Sequence, residues 1–291
     1  MQVFILSRNE LLYSTRRLVE VAERRGHDVF VRDPLKFSVQ VQNPPSLLYL
    51  SKSVSLPDAI IPRIGASITY FGLAVVRQFE QLGVFSLNEA HAIEASRDKL
   101  KALQILARHQ VVIPRTAFIH RKKEVKQSIE EVGGVPVVIK LLEGTQGRGV
   151  LLAENPNTAE AMVELLQDAN HKILVQKFIE EARGKDIRAF VIGGKVVAAM
   201  RRVSSHHLEF RSNVHRGGRA EPIDLPKEYQ EAALRAAELL GLKVAGVDLL
   251  ESKDGPLVIE VNSSPGLEAI ERVSQVDIAD EMIKFLEQEA R

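Results

Sequence analysis

Three stretches of the chain combine residue types and spacings that could do chemistry. In DGPLVIEVNSSPG, residues 254–266, an apolar run carries Glu260 and ends in Asn262. A carboxylate in a buried strand is costly unless something pairs with it. Residues two apart on a strand share a face, so Glu260 and Asn262 point together. Asp248, in the preceding run GVDLLES, would meet them across a hairpin turning at Lys253-Asp254-Gly255. Two carboxylates and an amide oxygen, with no imidazole or thiolate nearby in sequence, suit a hard cation such as Mg²⁺. The alternative is a strand-end acid held by a buried arginine, since structural ion pairs also perturb carboxylates.

The second stretch is EGTQGRGV, residues 143–150. Gly144, Gly147 and Gly149 let the backbone approach an anion, and successive N–H groups can cradle phosphate oxygens. It lacks the Gly-Lys-Ser/Thr and following helix of a Walker loop and sits between two strand-like runs. A hairpin lid over a phosphate chain fits it; so does a glycine-rich surface hairpin. Lys140 ends the preceding apolar strand, which would aim it one way, and the alternative is a solvated lysine. The third stretch is FRSNVHRGG, residues 210–218, where Arg211, Asn213 and Arg216 look like anion recognition. Arg188 and Arg201-Arg202 precede it on strands, and a solvated basic loop is the ordinary alternative. His206 and His207 have no metal-ligand spacing with another histidine. Neither G-x-S-x-G nor H-E-x-x-H occurs. Phosphoryl chemistry with metal ions is therefore favoured over a hydrolytic triad or zinc.

The bulk of the chain sets limits on these readings. At 291 residues it is long enough for two or three domains and a substantial core. Lys and Arg (39) nearly cancel Asp and Glu (38), and aromatics are only 5%, which argues against direct nucleic-acid binding. No cysteine is present, which excludes disulfides, thiolate zinc sites and cysteine nucleophiles. No apolar run reaches transmembrane length and the N-terminus lacks signal-peptide features, so a cytoplasmic protein with no membrane partner is expected.

Elements that could position the three stretches follow from periodicity. QVFILS, HDVFVRDP and DAIIPRIG read as strands alternating with helices over 13–25 and 69–82, a small parallel Rossmann-like sheet over about residues 1–90. The sheet has no G-x-G-x-x-G after its first strand, and a Pro- and Ser-rich loop is expected over 42–57. Residues 89–109 read as helical. Then come an extended segment broken by Pro114, a helix over 123–132, strands PVVIKLL and GVLLAE, a helix over 158–168 and strand KILVQKFI. DIRAFVIGGKVVAAMRRV is a hairpin turning at Gly193-Gly194, followed by a polar loop over 204–224. A helix over 227–240, the strand pair carrying Asp248 and Glu260, and a last helix over 278–288 complete the chain.

The order of a lysine, a glycine-rich hairpin, a QKFI strand and Asp…Glu-x-Asn resembles the ATP-grasp superfamily. With ILSRN, IPRIG, RQFEQLG, SRDKL, VVIKLLEGTQGRGV, DIRAFV, EFRSNVHRGG, AGVDLL and IEVNSSPGLE, nearly the whole chain resembles RimK-type α-L-glutamate ligases. The resemblance implies an α/β (α+β) protein: a Rossmann-like pre-ATP-grasp domain over 1–98 and a two-subdomain ATP-grasp fold. The latter would have a small lid subdomain over 99–182 and a metal-binding subdomain over 183–291. It further implies that Lys99 and Lys140 bind the ATP phosphates under the loop of Gly144, Thr145, Gln146, Gly147 and Gly149. Gln176 and the backbone of Lys177 and Phe178 would take the adenine edge, and Asp186 the ribose hydroxyls. Arg211, Ser212 and Asn213 would line the nucleotide and acyl-phosphate site, and Arg188 and Arg202 would reach the transferred phosphoryl group. Asp248, Glu260 and Asn262 would hold two Mg²⁺ or Mn²⁺ ions, with Glu260 bridging. The chain differs from the family pattern at Lys177, where Glu is common, and in SSHHLE before Phe210.

The implied activity is ATP-dependent addition of L-glutamate, through an acyl phosphate, to the C-terminal carboxylate of a protein or peptide. Small-subunit ribosomal protein S-six is the implied acceptor, and a homo-oligomer the expected assembly. The alternatives are a ligase of the same superfamily acting on an amino-group carrier protein or a small peptide, and a non-catalytic nucleotide-binding regulator.

Overall fold

The computed structural model describes residues 1–142, 149–205 and 218–290. Its N-terminal part begins with β1 (Gln2–Leu6), α1 (Tyr13–Arg24) and β2 (Asp28–Arg32), then β3 (Phe37–Gln40), β4 (Ser46–Tyr49) and β5 (Lys52–Ser53). It continues through β6 (Ala59–Pro62), α2 (Thr69–Gln81), β7 (Phe85–Ser86), α3 (Ala90–Arg97) and α4 (Lys99–Arg108). The order β2-β1-β6-β7 is parallel throughout. Strands buried on both faces need near-continuous apolar runs, and QVFIL and AIIP supply them. Val3 and Ile5 face α1, while Phe4 and Leu6 face α2. The alternation expected of a strand thus clothes the sheet on both sides.

Two details of this part differ from the sequence reading. The expected loop over 42–57 contains β4, which pairs antiparallel with β3, and β5, which pairs antiparallel with β4. Leu47, Leu48 and Tyr49 give β4 a short apolar run of which only Leu47 is buried, and the Pro and Ser residues around it hide the strand in the sequence. The helical stretch over 89–109 is two helices, because Asp98 is extended and caps α4 by accepting from the Lys101 N–H at 3.0 Å. That break presents Lys99 at the first turn of α4.

The middle of the chain forms a second sheet from β8 (Thr116–Phe118), β9 (Val137–Leu141), β10 (Val150–Ala153) and β11 (Ile173–Lys177). The order is β10-β9-β11-β8, and α5 (Val125–Glu131) and α6 (Pro156–Asp168) cover one face. Val137, Ile139, Ile173 and Val175 pack under those helices. The alternate residues, Val138, Lys140, Leu174 and Gln176, are left for the other face.

The third sheet has the order β14-β13-β12-β15-β16 and is antiparallel. Its strands are β12 (Lys185–Ile192), β13 (Lys195–Val203), β14 (Arg219–Pro222), β15 (Val244–Ser252) and β16 (Gly255–Asn262). β14 lies inside the expected polar loop over 204–224, where it runs along the edge of the sheet with little burial. The small side chains Ala233, Ala236 and Ala237 of α7 (Lys227–Leu239) pack against one face. On the other face, α9 (Ile278–Glu289) buries Ile278, Met282 and Leu286 between β12 and the N-terminal sheet. A short helix, α8 (Glu268–Ser274), precedes α9 and was not evident in the sequence. Among the described residues no helix is long and apolar enough to cross a membrane.

Candidate active site

Where α8 and α9 leave the third sheet uncovered, its face looks across at the second sheet over a cavity of about 830 Å³. Pairing sets what stands on that floor. Asp186 lies opposite Arg202, and Arg188 opposite Asp248. Asp248 in turn lies opposite Glu260, and Gly246 opposite Asn262. The register of β15 against β16 shifts beside Asp248, with Leu249 opposite Val258, so Ile259 is an extra residue. Such bulges re-aim side chains. Here the bulge brings Glu260, not Ile259, to Asp248.

The floor is a buried charge ladder. Arg188 donates from Nε and Nη2 to the two Asp248 oxygens, both at 2.7 Å. Arg202 donates likewise to Asp186 at 2.6 Å twice, and its Nη2 lies 3.0 Å from Asp248 Oδ2. Asp186, Arg202 and Asp248 are only 6%, 5% and 3% exposed. Burial would raise the Asp248 carboxyl, but Arg188 and Arg202 outweigh it and hold it below the usual carboxylate range. Burial likewise opposes the charge on Arg202, and Asp248 and Asp186 more than restore it. Both readings of the sequence are therefore present at Asp248: it lines the cavity and it is paired with buried arginines. Asp186, Arg188 and Arg202 all line the cavity, with their charges engaged in this ladder.

The opposite wall is cationic above the acids. Lys140 projects from the cavity face of β9, and Lys99 reaches from α4 to donate from Nζ to the Leu142 carbonyl at 2.9 Å, at the root of the glycine-rich loop. Burial lowers the affinity of both amines for protons, and the Glu260 carboxylate partly restores it. Gly149 closes the loop in the left-handed region, φ +76°, and a Cβ there would fall 2.6 Å from Leu141 Cδ1. Only glycine fits. Between the walls, Val138, Leu174, Phe178, Leu250 and Ile259 make an apolar slot suited to a planar base. At its edge the Lys177 N–H donates to the Arg115 carbonyl at 2.8 Å and the Phe178 N–H to the Pro136 carbonyl at a longer 3.3 Å. The Gln176 amide donates to Thr116 Oγ1 at 2.7 Å.

The donor set fits a divalent cation. A carboxylate has about four lone-pair directions, and the arginines use three of those on Asp248, leaving one on Oδ1. The Asn262 amide donates from Nδ2 to the Gly246 carbonyl at 3.4 Å, which leaves its oxygen available. With Glu260 these are hard oxygen ligands. No cluster of three or more His, Cys, Asp or Glu side chains suited to a metal occurs among the described residues. Gly144, Thr145, Gln146, Gly147, His206, His207, Arg211, Ser212, Asn213 and Arg216 lie outside the described residues.

Two features were missed by the sequence reading. Asn88, after β7, is buried and saturated: Nδ2 donates to the carbonyls of Val244 and Ser263, and Oδ1 accepts from the N–H groups of Lys243 and Val244. It ties the N-terminal sheet to the start of β15 and to the residue after Asn262. The N-terminal part also supplies a third cavity wall, with Ser14, Arg63 and Arg97. The signal for Arg63 was a lone charge directly after a fully buried strand.

Comparison with known proteins places these features in a family. Residues 96–286 match the RimK-like ATP-grasp domain and residues 1–93 the RimK PreATP-grasp domain. A probable alpha-L-glutamate ligase of Rhodopirellula baltica is 57% identical over 98% of this chain and 71% of its own length. One of Hydrogenovibrio crunogenus is 53% identical over 100% of this chain and 97% of its own. Among solved structures, the ATP-grasp ligase PsnB, complexed with a phosphomimetic variant of a minimal precursor, Mg and ADP, superposes with TM-score 0.76. It is 21% identical, over 100% of this chain and 98% of that one. The macrocyclase MdnC of Microcystis aeruginosa, bound with precursor peptide MdnA, gives 0.74 at 19% identity, covering 99% and 100%.

Proposed function

The chain belongs to the RimK-like ATP-grasp family, and from that premise we propose that it joins L-glutamate to the C-terminal carboxylate of a protein or peptide. The observation that carries the reading is the juxtaposition, across one cavity, of Lys99 and Lys140 with Asp248, Glu260 and Asn262. Cations on one wall and oxygen ligands on the other suit a triphosphate lying between them. Asp248, Glu260 and Asn262 would hold two Mg²⁺ or Mn²⁺ ions, which supply charge neutralisation along the phosphates.

An acceptor carboxylate oxygen attacks the γ-phosphorus of ATP, the bond to the β-phosphate oxygen breaks, and ADP leaves. The neutral amine of glutamate then attacks the acyl carbon; phosphate departs, and the amine gives up a proton as the amide forms. In-line phosphoryl transfer asks the protein mainly for positioning and electrostatic stabilisation. Lys140 and Lys99 serve the phosphates. The Arg188–Asp248–Arg202–Asp186 ladder fixes the floor on which the ligands stand. The loop over 144–149 would close over the phosphates and keep water from the acyl phosphate.

Small-subunit ribosomal protein S-six is the proposed acceptor. The complexes of PsnB with a minimal precursor and of MdnC with a precursor peptide support a second reading, a ligase acting on a small peptide. Incubation with ATP, Mg²⁺ and glutamate, followed by mass spectrometry of candidate acceptors and assay of ADP, tests both. Added glutamate residues matched by ADP support ligation. ADP release that needs neither carboxylate nor amine would overturn it.

A further inference from the structure

Four of the five arginines that line the cavity fall into two pairs that differ in one respect; the fifth, Arg272, stands with Glu268 on α8. Arg188 and Arg202 are gripped by aspartates. Arg63 and Arg97, on the N-terminal wall, have no carboxylate within ion-pairing distance among the described residues. Arg63 follows β6 at the carboxyl end of the parallel sheet, the crevice in which open α/β sheets bind ligands. Its Nη2 donates to the Pro265 carbonyl at 2.8 Å, which holds the guanidinium against the turn after Asn262. Arg97 ends α3 and donates from Nη2 to the Ile64 carbonyl, while its Nε is buried with no partner among the described residues. Ser264 Oγ, on the turn that Arg63 touches, is also buried without a partner among the described residues. The first turn of α1 opens on this chamber through Tyr13, Ser14 and Thr15, and no side chain caps it.

Two neighbouring guanidiniums without counter-charges are expensive to bury unless a ligand completes them. Burial and its neighbour Arg97 lower Arg63 to about 10. Burial also lowers Arg97, with the Glu260 carboxylate its one opposing influence. The chamber is thus electropositive and joins the reaction centre at Glu260. Guanidinium forks match carboxylates with paired hydrogen bonds.

We propose that Arg63 and Arg97, with Ser264 Oγ, form the subsite that grips the two carboxylates of the incoming L-glutamate. The assignment rests on the ligase reading above. Of the two substrates, glutamate keeps both its carboxylates through the reaction, whereas the acceptor's carboxylate is consumed and must lie at the phosphates. A dicarboxylate also balances two guanidiniums. Held there, beside Glu260, the amine is directed at the acyl carbon. Discrimination between glutamate and neutral amino acids follows, because an amino acid without the side-chain carboxylate leaves a buried guanidinium unpaired.

The test is calorimetric titration of L-glutamate into the full chain with ADP and Mg²⁺, alongside separate KM values for glutamate, ATP and acceptor. Arg63→Met and Arg97→Met are expected to weaken glutamate binding about ten- to a hundredfold and to raise its KM likewise, with KM for ATP and acceptor unchanged. Arg63→Lys should recover part of the loss, and glutarate should compete with glutamate. Ser264→Ala removes an atom with no partner among the described residues, so it serves if an arginine variant fails to fold; a severalfold rise in KM for glutamate alone is expected. A rise in acceptor KM with glutamate unaffected would assign the subsite to the acceptor's carboxylate and overturn the proposal, as would unchanged constants throughout. Glutamate bound through these arginines, with no amide formed on any carboxylate, would instead sink the ligase reading and leave the subsite standing.

Discussion

Glu260 stands opposite Asp248 because Ile259 is the extra residue of a bulge in β16. Without it, Ile259 would face Asp248 and Glu260 would turn to the other side of the sheet. One inserted residue sets both acids on the cavity face.

Glu260→Gln keeps the volume and the bulge and removes the charge. Turnover, measured as ADP release in the presence of glutamate and acceptor, should fall by roughly 10²–10³ or more. The thermal melt should hold. Retention of most activity at saturating Mg²⁺ would show that the Glu260 charge is not needed.

Lys140→Ala should raise KM for ATP and slow turnover, because a buried cation beside the phosphates is lost. Lys172→Ala is the control: it is exposed at the start of the strand bearing Gln176, and should be near neutral. Equal effects from the two would mean that general charge, not position, is being measured.

Asp248→Asn should destabilise the protein by about 3–5 kcal/mol in urea denaturation, since Arg188 would be left buried without its charge partner and Arg202 would keep only Asp186. Its pH dependence has a definite sign. The folded carboxyl lies below the ordinary 3.8, so its contribution is present above that value and is lost as pH falls through the lower folded one. The gap between wild type and variant should therefore hold from neutral pH down toward 3.8 and close only below it. A gap that closes well above that range would place the Asp248 carboxyl outside the arginine grip.

Asn88→Ala should cost roughly 3 kcal/mol, by leaving the Lys243 and Val244 N–H groups and two carbonyls without partners. Activity should fall with it, because the turn that follows Asn262 loses its anchor. Unchanged stability would mean that water replaces the side chain.

Much of this arrangement was legible in the sequence because it obeys a period of two. Lys140 after PVVI, and Glu260 and Asn262 on one face of a strand that pairs with the strand of Asp248, follow from strand alternation and one hairpin turn. Alternation did not reveal the bulge: a plain hairpin register puts Ile259 opposite Asp248. Nor did it show that Asp186, Arg188, Arg202 and Asp248 satisfy one another, because that depends on three strands pairing side by side. Arg63, Arg97 and Asn88 were hidden for a different reason. They come to the cavity from the N-terminal part of the chain, and the contacts that give them meaning span far more sequence than any local pattern. β4, β5 and β14 lie in stretches that read as loops: β4 is short and set among Pro and Ser residues, and β5 and β14 are short edge strands with few apolar residues.

The measurement that bears most directly on the central claim is glutamylation of one acceptor peptide with its C-terminus free or amidated, followed by mass spectrometry with ADP assayed in parallel. The expected result is glutamate added only to the free peptide, with one ADP formed per amide and a rate that falls as salt rises, since the carboxylate enters an electropositive cavity. Equal glutamylation of the amidated peptide would contradict the claim, because the terminal carboxylate would then not be the group that ATP activates.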